Sequence, residues 1–283
     1  MLRQSTVITG SAVPGLMETT EAKDVVVEIG GLPIRLRSGD AAFLRLVRER
    51  YAGYISAGER ASFDFEIDLA PPGSGGGDED VSVRWDSGRW RMERGDFRAE
   101  WEPANARGRI RQTANPYALD SVLRIVHTLL LARQGGFLAH ASSVIRNGRA
   151  HLFAGVSGAG KTTLVRLAPP DVTLLTDEIS YVTRQEGGYF AAGTPFYGEL
   201  ARPGENLRAP IAALYLLAKG RENRIEPVAE AEAVRGLLAN ILFFAQEPEF
   251  VRLVFEAACE FAARMPVRRL TFAPEARVWE MIQ

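Results

Sequence analysis

The octapeptide Gly155-Val-Ser-Gly-Ala-Gly160-Lys161-Thr162 constrains this chain more than any other stretch of it. Three glycines within six positions disfavour a helix or a strand, because glycine loses the most conformational freedom on ordering and is kept where the backbone must curl. The spacing G-x-x-x-x-G-K-[S/T] is that of a loop whose backbone N–H groups wrap a phosphate chain. Its lysine bridges the β- and γ-phosphates and its hydroxyl is offered to Mg²⁺. Such a loop has to sit between a strand and a helix, whose N-terminus adds its positive dipole end. The flanking sequence supplies both: FLAHASSVI, the turn RNGR and AHLFA precede the loop, and TLVRLA follows it until Pro169-Pro170. Gly155, Val156, Ser157, Gly158, Ala159, Gly160, Lys161, Thr162 and Thr163 are the expected nucleotide-binding residues.

Asn147-Gly148 is a strong signal for a tight hairpin. If these two residues form the turn, Ile145 lies opposite Ala150, Ser142 opposite Phe153 and His140 opposite Gly155, which carries an imidazole to the first glycine of the loop. Beyond Pro170, VTLLTDE reads as a short buried strand ending in Asp177 and Glu178, where a carboxylate for Mg²⁺ or for a proton would arrive. Further strands are predicted at ISYVT, YFAA, IAALYLL and VRRLTF, with helices around 229–245 and 248–264.

Up to about residue 115 the apolar residues mostly alternate: Val25, Val27, Ile29; Phe63, Phe65, Ile67, Leu69; Val81, Val83, Trp85; Phe97, Ala99, Trp101. That predicts antiparallel strands, interrupted by one helix with Asp40 as N-cap and Phe43, Leu44, Val47 and Tyr51 on one face. The stretch 71–80, PPGSGGGDED, reads as an exposed hairpin loop. Asn115-Pro116 opens a second helix, which Gly135-Gly136 stops. The sequence therefore divides into a β-rich region, 1–115, and an α/β region with a mixed sheet, 116–283. His127 and His151 are read as packed residues without a chemical role.

Composition excludes several classes. The 34 Lys and Arg residues are balanced by 35 Asp and Glu, leaving a net charge of −1, which removes the global electrostatic case for nucleic acid or a membrane surface. Leu237 to Ala245, the most apolar stretch, is far short of a bilayer span. The single cysteine, Cys259, forms no internal disulfide, and MLRQSTVITGSAVPG lacks an apolar signal region, so a cytoplasmic location is expected. The only lysines are Lys23, Lys161 and Lys219, each preceded by alanine or glycine. The N-K-x-D segment of base-specific GTPases is therefore absent, as is the LSGGQ signature of transporter ATPases.

The order H-A-S-S-V (140–144), hairpin, G-V-S-G-A-G-K-T-T (155–163) and T-D-E (176–178) resembles the catalytic core of the HPr serine kinase/phosphorylase family. The resemblance implies a P-loop kinase core like that of phosphoenolpyruvate carboxykinases, with ATP and Mg²⁺, acting on a serine hydroxyl of a protein or peptide. It implies that Asp177 handles the proton, that Glu178 supports the metal or nucleotide, and that His140 lines the transfer site. It also implies that homo-oligomers are common. In the region of that family's later signature stands GTPFYGELARPGE, 193–205, where Glu199 and Arg202 are substrate-binding candidates. The alternatives are a nucleotide-binding module without transfer activity, and a phosphorylase running the same site in reverse.

Overall fold

The computed structural model describes residues 23–58, 60–71 and 80–283 of the chain. It is a mixed α/β structure with two sheets and few helices. The first sheet contains β1 (Asp24–Ile29), β2 (Leu32–Ser38), β3 (Phe63–Leu69), β4 (Ser82–Asp86), β5 (Arg89–Arg94), β6 (Phe97–Glu102) and β7 (Arg107–Gln112). Helix α1 (Ala41–Arg50) connects β2 to β3, and Asp40 caps it by accepting from the Phe43 N–H at 2.8 Å. That satisfies one of the donors that a helix start leaves unpaired.

The alternation locates several of these strands correctly, and four of the six pairs are antiparallel as expected, but two are not. The strand order is β1-β2-β3-β7-β6-β5-β4, and the β2–β3 and β3–β7 pairs are parallel. Parallel neighbours need a crossover; α1 supplies one, and the β4-β5-β6 meander supplies the other. The expected hairpin at 71–80 is not formed, because β3 and β4 do not pair and stand at different places in the sheet. Residues 72–79 themselves lie outside the described residues.

Helix α2 (Pro116–Arg133) starts as predicted, with Asn115 accepting from the Tyr117 N–H and proline in the first turn. The second sheet follows: β8 (Phe137–Arg146), β9 (Arg149–Ala154), α3 (Lys161–Arg166), β10 (Thr173–Thr176), β11 (Ile179–Gln185), β12 (Gly188–Ala192), β13 (Arg208–Lys219), β14 (Arg224–Pro227), α4 (Glu230–Leu238), α5 (Pro248–Arg264) and β15 (Val267–Phe272). The hairpin register is the one that the Asn147-Gly148 turn dictates, with Ser142 opposite Phe153 and Ile145 opposite Ala150.

Two long strands organise this sheet. β8 pairs with β9 and β10 along its second half and with β11 along its first; β13 pairs in turn with β12, β9 and β15. The pairings β8-β11-β12-β13-β9 therefore close a circuit. β8 changes partner between Ala141, opposite Ala154, and His140, opposite Ile179. His140 thus faces the start of β11, and the expected pairing with Gly155 does not occur. The helix predicted over 229–245 ends at Leu238. Its continuation instead flanks β8: the Asn240 carbonyl accepts from the His140 N–H, and the Leu242 N–H donates to the Leu138 carbonyl.

The buried side chains of the first sheet, α1, α2 and much of the second sheet form one continuous apolar cluster. A second cluster, around Phe153, Leu164, Tyr215, Phe272 and Trp279, backs α3. His127 and His151 are buried in these interiors, as expected for packed residues. Burial pulls the His127 imidazole down to about 3. Burial, with Arg146 and Arg149 adding to it, pulls His151 down to about 4.

These two imidazoles make stability depend on pH with a fixed sign. In the unfolded chain they take up protons near pH 6.5, whereas the folded chain resists protonation until far lower. Their contribution is complete above about pH 6.5 and is lost as the pH falls from there through about 4. Each group adds a slope of about 1.4 kcal/mol per pH unit inside that window. His127→Gln should therefore lose less stability between pH 7 and pH 5 than the parent chain, as read from urea unfolding at both values.

Candidate functional site

A cavity of about 260 Å³ opens where β8 forks, lined by His140, the loop residues Ser157, Gly158 and Gly160, Lys161, Thr162, Thr163, Asp177, Glu178, Gly198 and Glu199. Three separate stretches of chain meet there because β9 and β10 end at its rim and β8 passes it at His140. The glycine loop leaves β9, α3 begins at Lys161, and Asp177-Glu178 is the link from β10 to β11.

The loop is shaped by close approach as well as by turn chemistry. Gly160 has φ +105°, and a Cβ on it would lie 2.7 Å from Cζ of Phe272 in β15. A side chain is therefore excluded on both backbone and packing grounds. Val156 is 76% exposed at the loop's outer edge, while Ala159 is buried beneath it.

Lys161 is buried at the floor of the cavity. Its ammonium folds back to donate to the Gly155 carbonyl at 2.7 Å and the Val156 carbonyl at 3.4 Å. Burial lowers its pKa, opposed by the nearby Glu178 and Glu199 carboxylates.

The two adjacent carboxylates live in different surroundings. Asp177 is 3% exposed, and both of its oxygens are engaged: Oδ1 accepts from the Gly198 N–H at 3.0 Å and Oδ2 from the Leu200 N–H at 2.9 Å. Asp177 thus fastens residues 193–205 along the rim. Glu178 is half-buried and lies 3.7 Å from Arg124 of α2. Burial raises its carboxyl above the ordinary value; Arg124 opposes the rise and Asp177 adds to it.

The rim segment is held from several sides. Thr176 Oγ1 donates to the Phe196 carbonyl, Arg166 to the Glu199 carbonyl, and Tyr54 Oη to the Gly204 carbonyl. A Cβ on Gly204 would fall 1.7 Å from the Leu175 carbonyl oxygen, so only glycine lets the segment lie this close to β10. From α1, Arg50 donates to the Pro195 carbonyl at 2.8 Å and to Asp120 Oδ2 at 2.5 Å, while Tyr51 donates to Asp120 Oδ1 at 2.6 Å. The Arg50 guanidinium also lies 4.2 Å from the ring centroid of Tyr197.

His140 is half-buried on the cavity wall. Its imidazole pKa is lowered, first by burial and then by the positive charges of Lys161 and Arg124. No described residue makes a hydrogen bond to its ring.

Of the residues singled out in the sequence, the structure therefore gathers His140, most of the glycine loop, Lys161, Thr162, Thr163, Asp177, Glu178 and Glu199 round one cavity. Arg202 is exposed and does not line it. Sequence reasoning missed Arg50, Asp120, Arg124, Tyr197 and Gly198. A signal existed for two of them: Asp120 and Arg124 are lone charges four residues apart on an otherwise apolar stretch of α2, a spacing that puts both on one face.

Among the described residues there is no cluster of three or more His, Cys, Asp or Glu side chains able to hold a metal ion. No helix among them is long and apolar enough to cross a membrane.

Fold and site together define a mixed α/β protein whose glycine-loop cavity lies at a fork between paired strands. Residues 111–283 match the family model of SynChlorMet cassette protein ScmC, so the chain belongs to that family. This finding corrects the resemblance drawn from the 140–178 motifs: the family is ScmC, and not the HPr serine kinase/phosphorylase family. No curated protein matches the chain.

Asp177→Asn should release one of the two rim amides, because a carboxamide offers a single acceptor oxygen and turns an NH₂ toward the second donor. Amide hydrogen exchange at Gly198 or Leu200 should then speed up by about tenfold, one lost hydrogen bond being worth about 1 kcal/mol or more. The β9 amides serve as the unchanged control.

Proposed function

We propose that the chain is a phosphotransferase that binds ATP at Gly155–Thr163 and passes its γ-phosphoryl group to a hydroxyl of a protein or peptide, with serine as the expected acceptor. The observation that carries this reading is the shared cavity of Lys161, the loop glycines, Glu178 and His140. That set contains a cation for the phosphate chain, backbone donors, and titratable groups that face the cation, which is what phosphoryl transfer requires.

The cavity is close to the lower end of the ~300–1,000 Å³ typical of small-molecule sites, so it suits the phosphate chain and leaves the nucleoside at its mouth. Lys161 would exchange its two loop carbonyls for phosphate oxygens. Glu178, whose carboxyl is raised by burial, is the better placed of the two carboxylates to accept the hydroxyl proton, because both Asp177 oxygens already hold backbone N–H groups. The residues present fit Mg²⁺ in one way only: Thr162 and a single carboxylate would hold it, with phosphate oxygens supplying the other ligands, as is common for this ion. Bound there, it would neutralise charge on the phosphates.

A second reading has its own support. The engagement of Asp177 with the rim suits a module that binds nucleotide without transferring phosphate, since such a module has no use for a free carboxylate.

The two separate by experiment. With Mg²⁺ and γ-labelled ATP, a lysate of the source organism should yield a labelled protein or peptide, and Lys161→Ala should reduce that labelling by about 10³-fold while keeping the far-UV spectrum of the parent. Tight ATP binding with no labelled acceptor under any condition would favour the binding module, and an unchanged rate in Lys161→Ala would sink the transfer reading.

A further inference from the structure

His140 is a nucleophilic side chain on the cavity wall whose ring neither the rim nor the loop engages. Its main chain is fixed: the N–H donates to the Asn240 carbonyl at 2.7 Å and Cα lies opposite Ile179, the residue after Glu178. Its ring, by contrast, carries no hydrogen bond from any described residue. The other two histidines differ: His127 is fully buried with Nδ1 3.3 Å from Tyr181 Oη, and His151 is buried and stacked on Tyr215.

The sign of the surrounding charge discriminates between two uses of this imidazole. The positive charges that act on it belong to Lys161 and Arg124. A general base would become imidazolium on taking a proton and would place a third positive charge beside these two. A nucleophile that accepts a phosphoryl group gains net negative charge, which the same two cations stabilise. The surroundings oppose the first product and favour the second.

Resting on the phosphotransferase reading above, we infer that His140 is a covalent way-station: its ring nitrogen takes the γ-phosphoryl group from ATP before an acceptor hydroxyl receives it. In the first half-reaction the nitrogen lone pair forms a P–N bond while the bond from γ-phosphorus to the β-γ bridging oxygen breaks. ADP leaves with that electron pair. In the second, the acceptor oxygen attacks the phosphorus, the P–N bond breaks with its electrons returning to the ring, and the hydroxyl proton passes to Glu178. The second nitrogen keeps its proton throughout, so the ring ends as it began. Dividing the transfer in this way needs no base during the first half and allows ADP to leave before the acceptor arrives.

The test uses the full chain with Mg²⁺ and γ-labelled ATP and no acceptor. Binding is measured separately by calorimetry with a non-hydrolysable ATP analogue. The expected result is label on the wild-type chain that survives alkali, is lost in acid, maps by mass spectrometry to the peptide containing His140, and returns to ATP when excess ADP is added. His140→Asn should lower that label by about tenfold or more while still binding the analogue, which also reports that the variant is folded. Mapping on the wild-type chain keeps the test decisive even if the variant does not fold. A chain that binds the analogue but gains no label, or gains acid-stable label on a hydroxyl side chain, overturns the inference and leaves direct transfer standing. A chain that does not bind the analogue overturns the phosphotransferase reading itself, and this inference with it.

Discussion

The buried contact between Arg50 and Asp120 holds together what the rest of the structure depends on. It links α1 to α2 and, through the Pro195 carbonyl, to the rim of the cavity. Removing two charges from water is costly, and such a pair stabilises a fold only when its remaining hydrogen-bonding groups are satisfied. Here that condition is met in part: Tyr51 donates to the second Asp120 oxygen and the faces of Tyr51, Tyr117 and Tyr197 surround the guanidinium, while Arg50 Nε is buried without a hydrogen-bond partner among the described residues. Helix α1, which connects two strands of the first sheet, thereby braces the segment beside a cavity whose lining residues all lie at or beyond His140.

The cavity itself exists because β8 cannot serve all its partners in one plane. The cavity lies where β8 exchanges β9 for β11 as its neighbour. The glycine loop, the Asp177-Glu178 link and His140 all reach that cavity from strands that are neighbours in space and separate in sequence.

Two adjacent carboxylates illustrate how surroundings assign different work to similar groups. Asp177 accepts from backbone amides and becomes a fastener for residues 198–200; Glu178 lies beside Arg124 and acts electrostatically on Lys161. The cations facing it also act on His140, whose imidazole they hold, with burial, below its ordinary pKa.

The sequence determined the local features: the Asp40 and Asn115 caps, the Asn147-Gly148 turn with its register, and a glycine loop framed by strand and helix. Each depends on a few consecutive residues whose backbone preferences agree, so each is legible without the rest of the chain. The antiparallel reading of the first sheet holds for four of its six pairs and fails at β2–β3 and β3–β7, because alternation reports which face of a strand is buried and says nothing about its neighbour's direction; the crossovers on either side of β3 decided that. The helix read through Asn240 failed because backbone groups of β8 needed partners, and a tertiary hydrogen bond outweighed a helical periodicity. The Asp177 fastening, the pairing of Arg124 with Glu178, and the reach of Arg50 over 145 positions to Pro195 were decided by tertiary structure alone. Long-range polar contacts are set by where burial strands a charge without water, and that place is known only once the two sheets are packed together.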